Sequence, residues 1–330
     1  MLKFLLRRLA YLVTLVVIAT CVAYLLAATQ LNPRSRYEGR NPPPSAEVVD
    51  AALDAINMND KTPVLVRLQR WAGGVLHGDF GRTIDNTSVN EEFGRRIFVS
   101  LRLLLIGSIL GTLLGVAAGA YGAVNQYRIP DRLLTLFSFV VLSIPVVVLA
   151  VLYKNTGIEI NNLLGFTGES KLLYTTGEIT PGLATWSWVG LTNRLAHLVL
   201  PSLVLITAAV AYYGRYQRSA MLDVLGSDFL RTARAKGLRR GPALIRHGLR
   251  TALIPMATFF AYEFALLFVG ATFTEKIFGW HGMGEYFVDS VTKNDVNSVA
   301  AVTLFVAVLV LIAGFLSDLA YAILDPRVRV

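Results

Sequence analysis

The chain has 330 residues, of which 54% are hydrophobic and only 16% charged, with a net charge of +9 and a mean hydropathy of +0.55. Soluble chains of this length are about a quarter charged, so the composition excludes an ordinary soluble domain. The positive charge alone would suit a nucleic-acid binder, but its placement along the chain argues for a membrane protein and against nucleic acid.

Apolar runs recur at 9–28, 98–124, 133–153, 196–214, 251–273 and 298–322. Each is about 20 residues or more, enough to cross roughly 30 Å of hydrocarbon as a helix. They are too long and too uniformly apolar for the strands of a closed barrel, the other structure that satisfies its backbone in lipid. The expected fold is therefore an all-α membrane protein with six transmembrane helices.

The first run follows Lys3, Arg7 and Arg8. It is longer than a signal-peptide core and has no clean small-x-small cleavage site, so it is read as a membrane helix, with 1–28 as the N-terminal segment. Cys21 is the single cysteine. It has no partner for an internal disulfide or a metal cluster and is read as a small apolar residue.

Residues 29–97 are too many for a simple connection. A proline-rich stretch around Asn32-Pro33 and Asn41-Pro42-Pro43-Pro44 opens the segment. Ser45 then caps a helix with Val48, Val49, Ala52, Leu53 and Ile56 at helical spacing. Pro63 suits the start of a second helix, with Leu65, Leu68, Ala72, Val75 and Leu76 on one face. The segment reads as a small folded cap outside the membrane.

In the second run Gly107, Gly111, Gly115 and Gly119 repeat every four residues. Such a stripe lets a neighbouring helix backbone approach closely. Arg102, near that helix's end, is expected to snorkel to the interface. Pro145, with Ser143 just before it, lies inside the third run; a proline kinks a helix, so the two are candidates for shaping a translocation pathway, with plain helix packing as the other reading of Pro145. In the fifth run Glu263 is the one acidic residue deep in a span. A charge at that depth usually faces a bundle interior or a wet pathway, and pathway lining and a buried structural role both remain open.

Residues 215–250 hold nine basic and two acidic residues, a net +7. Ser227 or Asp228 is a good N-cap and Gly237 a good stop, which predicts a helix of about nine residues, acidic first and basic last as the macrodipole prefers. At 1.5 Å per residue it is far too short to cross a membrane. Phe229, Leu230 and Ala233 give it a small apolar face. A lipid-surface helix and a helix docked into a partner protein fit this composition equally well.

Basic loops alternate with neutral or acidic ones. The N-terminus is +3 and residues 215–250 are +7, whereas 29–97 and 154–195 are neutral and 274–297 is −2. By the positive-inside rule both termini and 215–250 face the cytoplasm. No Gly-Lys-Ser/Thr phosphate loop or His-Glu-x-x-His occurs. His77, His197, His247 and His281 are scattered. No catalytic or metal site is expected on this chain.

A resemblance decides between the readings of the short helix. Arg231-Thr232-Ala233-Arg234-Ala235-Lys236-Gly237 leading to Leu253-Ile254-Pro255 resembles the coupling loop of binding-protein-dependent ABC importer permeases, in its oligopeptide/dipeptide branch. Leu200-Pro201, read as opening the fourth span, and Arg218-Ser219-Ala220-Met221-Leu222-Asp223-Val224-Leu225 fit that setting. So do Gly78-Asp79-Phe80-Gly81, Asp131-Arg132 with Ser143-Ile144-Pro145, Glu275-Lys276-Ile277-Phe278 with Gly282 and Gly284, and Asp325-Pro326-Arg327. Arg231 replaces the acidic residue of the family's loop. Leu31-Asn32-Pro33 and Trp280-His281-Gly282 depart from its outer-face motifs.

The resemblance implies a permease subunit of a bacterial plasma-membrane importer, with residues 98–330 as the transmembrane domain. It works by alternating access, driven by a helix at Asp228, Phe229, Arg231, Thr232, Ala233, Arg234, Ala235, Lys236 and Gly237 seated on a cytoplasmic ATPase. The implied partners are a second permease, ATPase subunits that hold the ATP and Mg, an extracytoplasmic substrate-binding protein and the bilayer. This chain binds no cofactor of its own. Peptides are the expected cargo; nickel chelates or glutathione remain within the family. A secondary transporter would need its own set of intramembrane ionisable groups, commonly with internal repeats, and mainly Glu263 is present.

Overall fold

The computed structural model describes residues 2–38, 41–42, 44–166, 171–184, 187–236 and 244–324. Among them every element is helical apart from one isolated bridge between Arg82 and Ser88. The helices are α1 (Leu2–Gln30), α2 (Ala46–Ala55), α3 (Val64–Leu76), α4 (Val89–Val124), α5 (Ile129–Ser143), α6 (Val146–Leu163), α7 (Trp188–Leu225), α8 (Asp228–Ala235), α9 (Arg250–Phe278), α10 (Met283–Thr292) and α11 (Val296–Leu324). Four of them, α1, α4, α7 and α11, are long and apolar enough to cross a membrane, and the bent pair α5–α6 makes a fifth candidate. The chain divides into two compact units, Leu101–Trp280 with Ile312–Val330, and Leu2–Ser100 with His281–Leu311.

The second unit contains the folded cap. Ser45 accepts the Val48 amide at the start of α2, and α3 begins directly after Pro63. The inward face of α3 is not the leucine face expected from spacing. Leu65 and Leu76 are 70% and 86% exposed, while Trp71 and Arg67 are buried. Trp71 sets the orientation: its ring lies 5.2 Å from that of Tyr24 on α1, and its indole N–H donates to the Phe80 carbonyl. Residues just before and at the start of α11 tie the cap together. Asn297 donates to the carbonyls of Ile56 and Arg82, and Asp295 accepts the Ile84 amide at 2.9 Å.

In the first unit α5, α6 and α9 pack on α7, and α4 lies along it through the glycine stripe. A β-carbon at Gly107 would sit 2.9 Å from that of Leu205, and one at Gly115 would sit 2.7 Å from that of Tyr213. At Gly119 it would overlap the Gly214 carbonyl. These are backbone approaches that no larger residue permits.

Three expectations change here. Pro201 does not open a helix; it lies inside the 38-residue α7, which begins at Trp188 and runs past the apolar stretch to Leu225. A proline is tolerated inside such a helix where neighbours satisfy the freed carbonyl. Pro145 does not kink a continuous third span. α5 ends at Ser143, Ile144 is extended, and α6 starts after Pro145 at 106° to α5. Proline disfavours the helical conformation in the residue before it, and here the chain follows that bias. Arg102 does not simply snorkel: it is ion-paired with Glu178 in the loop before α7.

Candidate coupling site

The basic segment begins as helix. α7 carries Arg215, Arg218 and Asp223 in its last three turns and stops at Gly226, whose amide returns to the Leu222 carbonyl. The Ser227 hydroxyl donates to the Val224 carbonyl at 2.6 Å, so it closes α7 instead of capping the next helix. α8 then runs for eight residues. Its first turn closes through the Arg231 amide on the Ser227 carbonyl and the Thr232 hydroxyl on the Asp228 carbonyl. The only acid, Asp228, lies in the first turn, where the macrodipole favours it. Arg231 reaches back to it at 3.5 Å, both side chains largely in solvent.

Among the described side chains of α8, Leu230 is the one that is buried. Leu230 is 5% exposed and packs in a cluster with Ala123 of α4, Met221 and Val224 of α7, Leu244, and Ala252 of α9. Burying a leucine contributes about 1.5–3 kcal/mol, a large share of what holds an eight-residue helix that is too short to be stable alone. Phe229 points the other way and is 45% exposed. The apolar face expected from Phe229, Leu230 and Ala233 is therefore split, because adjacent helical residues are about 100° apart. Phe229, Arg231, Thr232, Ala235 and Lys236 are open to solvent. Gly237 lies outside the described residues, as do the side chains of Ala233 and Arg234.

An ion pair between residues distant in the chain fixes the platform on which α8 sits. Arg218 donates to both carboxylate oxygens of Asp131, at 2.8 Å for its Nη2, and Asp131 also accepts the Tyr127 amide. The Asp131 side chain is 3% exposed. This joins the first turn of α5, and through Tyr127 the α4–α5 turn, to α7. Each residue is visible as a charge flanking an apolar run, but nothing in the sequence pairs them.

From Lys236 the chain reaches a π-helical turn, Leu244–Leu249, that leads into α9. Gly248 packs tightly there: a β-carbon would meet the side chains of Leu244 and Val224 at 3.0 and 3.2 Å, so those side chains would have to shift by a few tenths of an ångström. Pro255 lies inside α9. Arg250, at the start of α9, donates to the carbonyls of Ile323 and Leu324 at the end of α11.

The other candidates do not gather here. Ser143 donates to the Phe139 carbonyl, and it and Pro145 are exposed at the α5–α6 break. Glu263 is part of α9, with its side chain outside the described residues. Among the described residues no group of His, Cys, Asp or Glu is arranged to hold a metal.

Residues 107–330 match the family described as binding-protein-dependent transport system inner membrane component. The chain belongs to this family. The permease is also 49% identical over 330 residues, all of both chains, to the oligopeptide transport system permease protein OppB of Mycobacterium tuberculosis. It is 36% identical over 285 residues, 84% of each chain, to the oligopeptide permease AppB of Bacillus subtilis. With the glutathione transport system permease GsiC of Salmonella paratyphi A it shares 31% identity over 331 residues, 100% of this chain and 99% of that one. The α4 glycine stripe, α7, α8 and α9 all fall within the family match. This is a permease of an ABC importer, in a bacterial membrane.

Proposed function

We propose that this permease is one of two homologous membrane subunits of an ATP-driven importer of peptides, and that α8 is the element through which ATP hydrolysis elsewhere moves it. α9, at 29 residues, adds a sixth span to α1, α4, the broken α5–α6, α7 and α11. Both termini and α8 face the cytoplasm on the charge distribution. Residues 29–97 cap the outer face, where a substrate-binding protein delivers cargo. ATP and Mg belong to separate ATPase subunits, and this chain holds neither.

The observation that carries this reading is the asymmetry of α8. Leu230 fixes it to the bundle while Phe229, Arg231, Thr232 and Lys236 are presented to solvent in the most basic segment of the chain. A lipid-surface helix would turn its largest apolar residue, Phe229, toward the bilayer and its cations outward. The peptide cargo follows the names of the relatives, two of which are oligopeptide permeases; the glutathione permease keeps a short, modified peptide as the second reading. Glu263 lines the pathway and meets the positive end of the cargo. Glu263→Gln is expected to abolish uptake with the assembly intact, and normal uptake would remove it from the pathway.

The test is purification of this chain from its native membrane in mild detergent. A second, similar permease and one or two P-loop ATPases should accompany it. A chain that purifies alone and still moves solute into liposomes without ATP would overturn the proposal in favour of a secondary transporter.

A further inference from the structure

A groove of about 210 Å³ lies between α4, α5 and α7, lined on α7 by residues of its C-terminal half. Its floor is Ala118, Gly119 and Gly122 of α4 with Gly214 of α7, and its apolar wall is Leu134 and Phe137 of α5. Arg215, Arg218 and Ser219 of α7 line it as well, with Thr135 and Ser138 of α5. Arg218 is committed, both its bonds going to Asp131. Arg215 is exposed, and its guanidinium lies 5.2 Å from the Phe139 ring centroid. Among the described residues it has no carboxylate partner. With Arg218 and Asp131 cancelling, the largely apolar groove carries one surplus positive charge, on Arg215 beside the Phe139 ring. Outside it, α5 continues the apolar surface through Leu133, Leu136 and Val140, which are 60%, 60% and 50% exposed.

We infer that this groove binds one anionic glycerophospholipid, its phosphate on the Arg215 guanidinium and the start of an acyl chain along Leu134 and Phe137. The argument is charge complementarity and shape. A guanidinium pairs with phosphate through parallel N–H bonds, and the ring beneath Arg215 holds the fork at the mouth of the groove. A water-soluble anion would leave the apolar wall uncovered, and a zwitterionic lipid would bring its own cation to an arginine. Basic pockets between membrane helices favour acidic headgroups on this ground. The inference rests on the membrane reading of the chain and not on the cargo or on α8.

The test uses the whole transporter in nanodiscs containing a photoactivatable phosphatidylglycerol or, in parallel, the matching phosphatidylcholine. After irradiation, peptides covering 134–139 and 214–219 should carry the phosphatidylglycerol adduct and little of the phosphatidylcholine one. Arg215→Gln should lower that labelling roughly tenfold, the loss of one charge-assisted contact, and Arg215→Lys should restore part of it. Thr135→Trp narrows the groove without altering its charge and should also suppress labelling. Equal labelling by both lipids, labelling unchanged in Arg215→Gln, or competition by millimolar inorganic phosphate would overturn the inference. So would labelling of the isolated chain that disappears in the transporter, since a second subunit would then cover the groove. ATPase recovery is scored on the same samples, so loss of the partner leaves the lipid result readable and fails the importer reading alone.

Discussion

Asp131 and Arg218 stand 87 positions apart and share a bidentate ion pair in which the carboxylate is almost wholly enclosed. Removing one partner strands the other. Arg218→Gln should destabilise the chain by about 3 kcal/mol, the lower end for breaking a buried pair, read as a fall in the thermal midpoint of the solubilised protein. Asp131→Asn together with Arg218→Gln should recover a good part of that loss, and strict additivity would argue that the two do not interact. Phe229 and Leu230 are a second residue-scale contrast. Phe229→Ala removes an exposed ring and should leave stability within about 0.5 kcal/mol, yet reduce recovery of the ATPase. Leu230→Ala opens a cavity and should cost about 2–5 kcal/mol, with ATP hydrolysis persisting while uptake falls. If both variants behaved alike in both assays, the division between anchor and contact face would be wrong.

At the scale of elements, the cap titrates in a direction its ion pairs set. Lys61 and Arg34 hold the Asp50 carboxyl below its usual range, Arg34 does the same to Asp60, and for Asp85 the Lys293 and Arg36 cations outweigh a contrary effect of burial. Groups with depressed folded pKa stabilise the cap above their unfolded pKa of about 4 and lose that contribution as pH falls further. Asp295 works the other way: burial raises its pKa, so its contribution is greatest below about 4 and declines as pH rises through its folded value. Three groups against one predict that amides of α2 and of 57–62 exchange faster as pH drops below about 4, after correction for intrinsic rates. Protection independent of pH there would show that the pairs contribute nothing.

The elements also show what a sequence reveals. α8 was legible, because a short run with an acid first and cations last between turn residues is a local pattern. Ser45 and Pro63 were legible as helix starts for the same reason. The end of α7 was not: charges at Arg215 and Arg218 end the apolar run, but leaving the hydrocarbon does not end a helix. Pro145 and Pro201 are alike in sequence and opposite in outcome, one at a 106° break and one inside a helix, because neighbouring helices decide whether the freed carbonyl is tolerated. The buried face of α3 was misread because one tryptophan meeting Tyr24 outweighed five aliphatic positions. The pairing of Asp131 with Arg218 and the cluster around Leu230 depend on contacts distant in sequence, which a single sequence does not carry.

At the scale of the whole molecule, the account rests on α8 being a lever between α7 and α9, driven by a partner. The most direct measurement places a reporter on its exposed face. Cys21 is the chain's single cysteine, so Cys21→Ser with Thr232→Cys leaves one thiol, on an exposed position of α8 with the Phe229 ring kept. Oxidative crosslinking in membranes, with single cysteines scanned across the ATPase surface, should give a disulfide-linked permease–ATPase species whose yield changes when ATP is added. A thiol that links to no ATPase position and reacts instead only with reagents dissolved in the lipid phase would contradict the account, and would return α8 to the membrane surface.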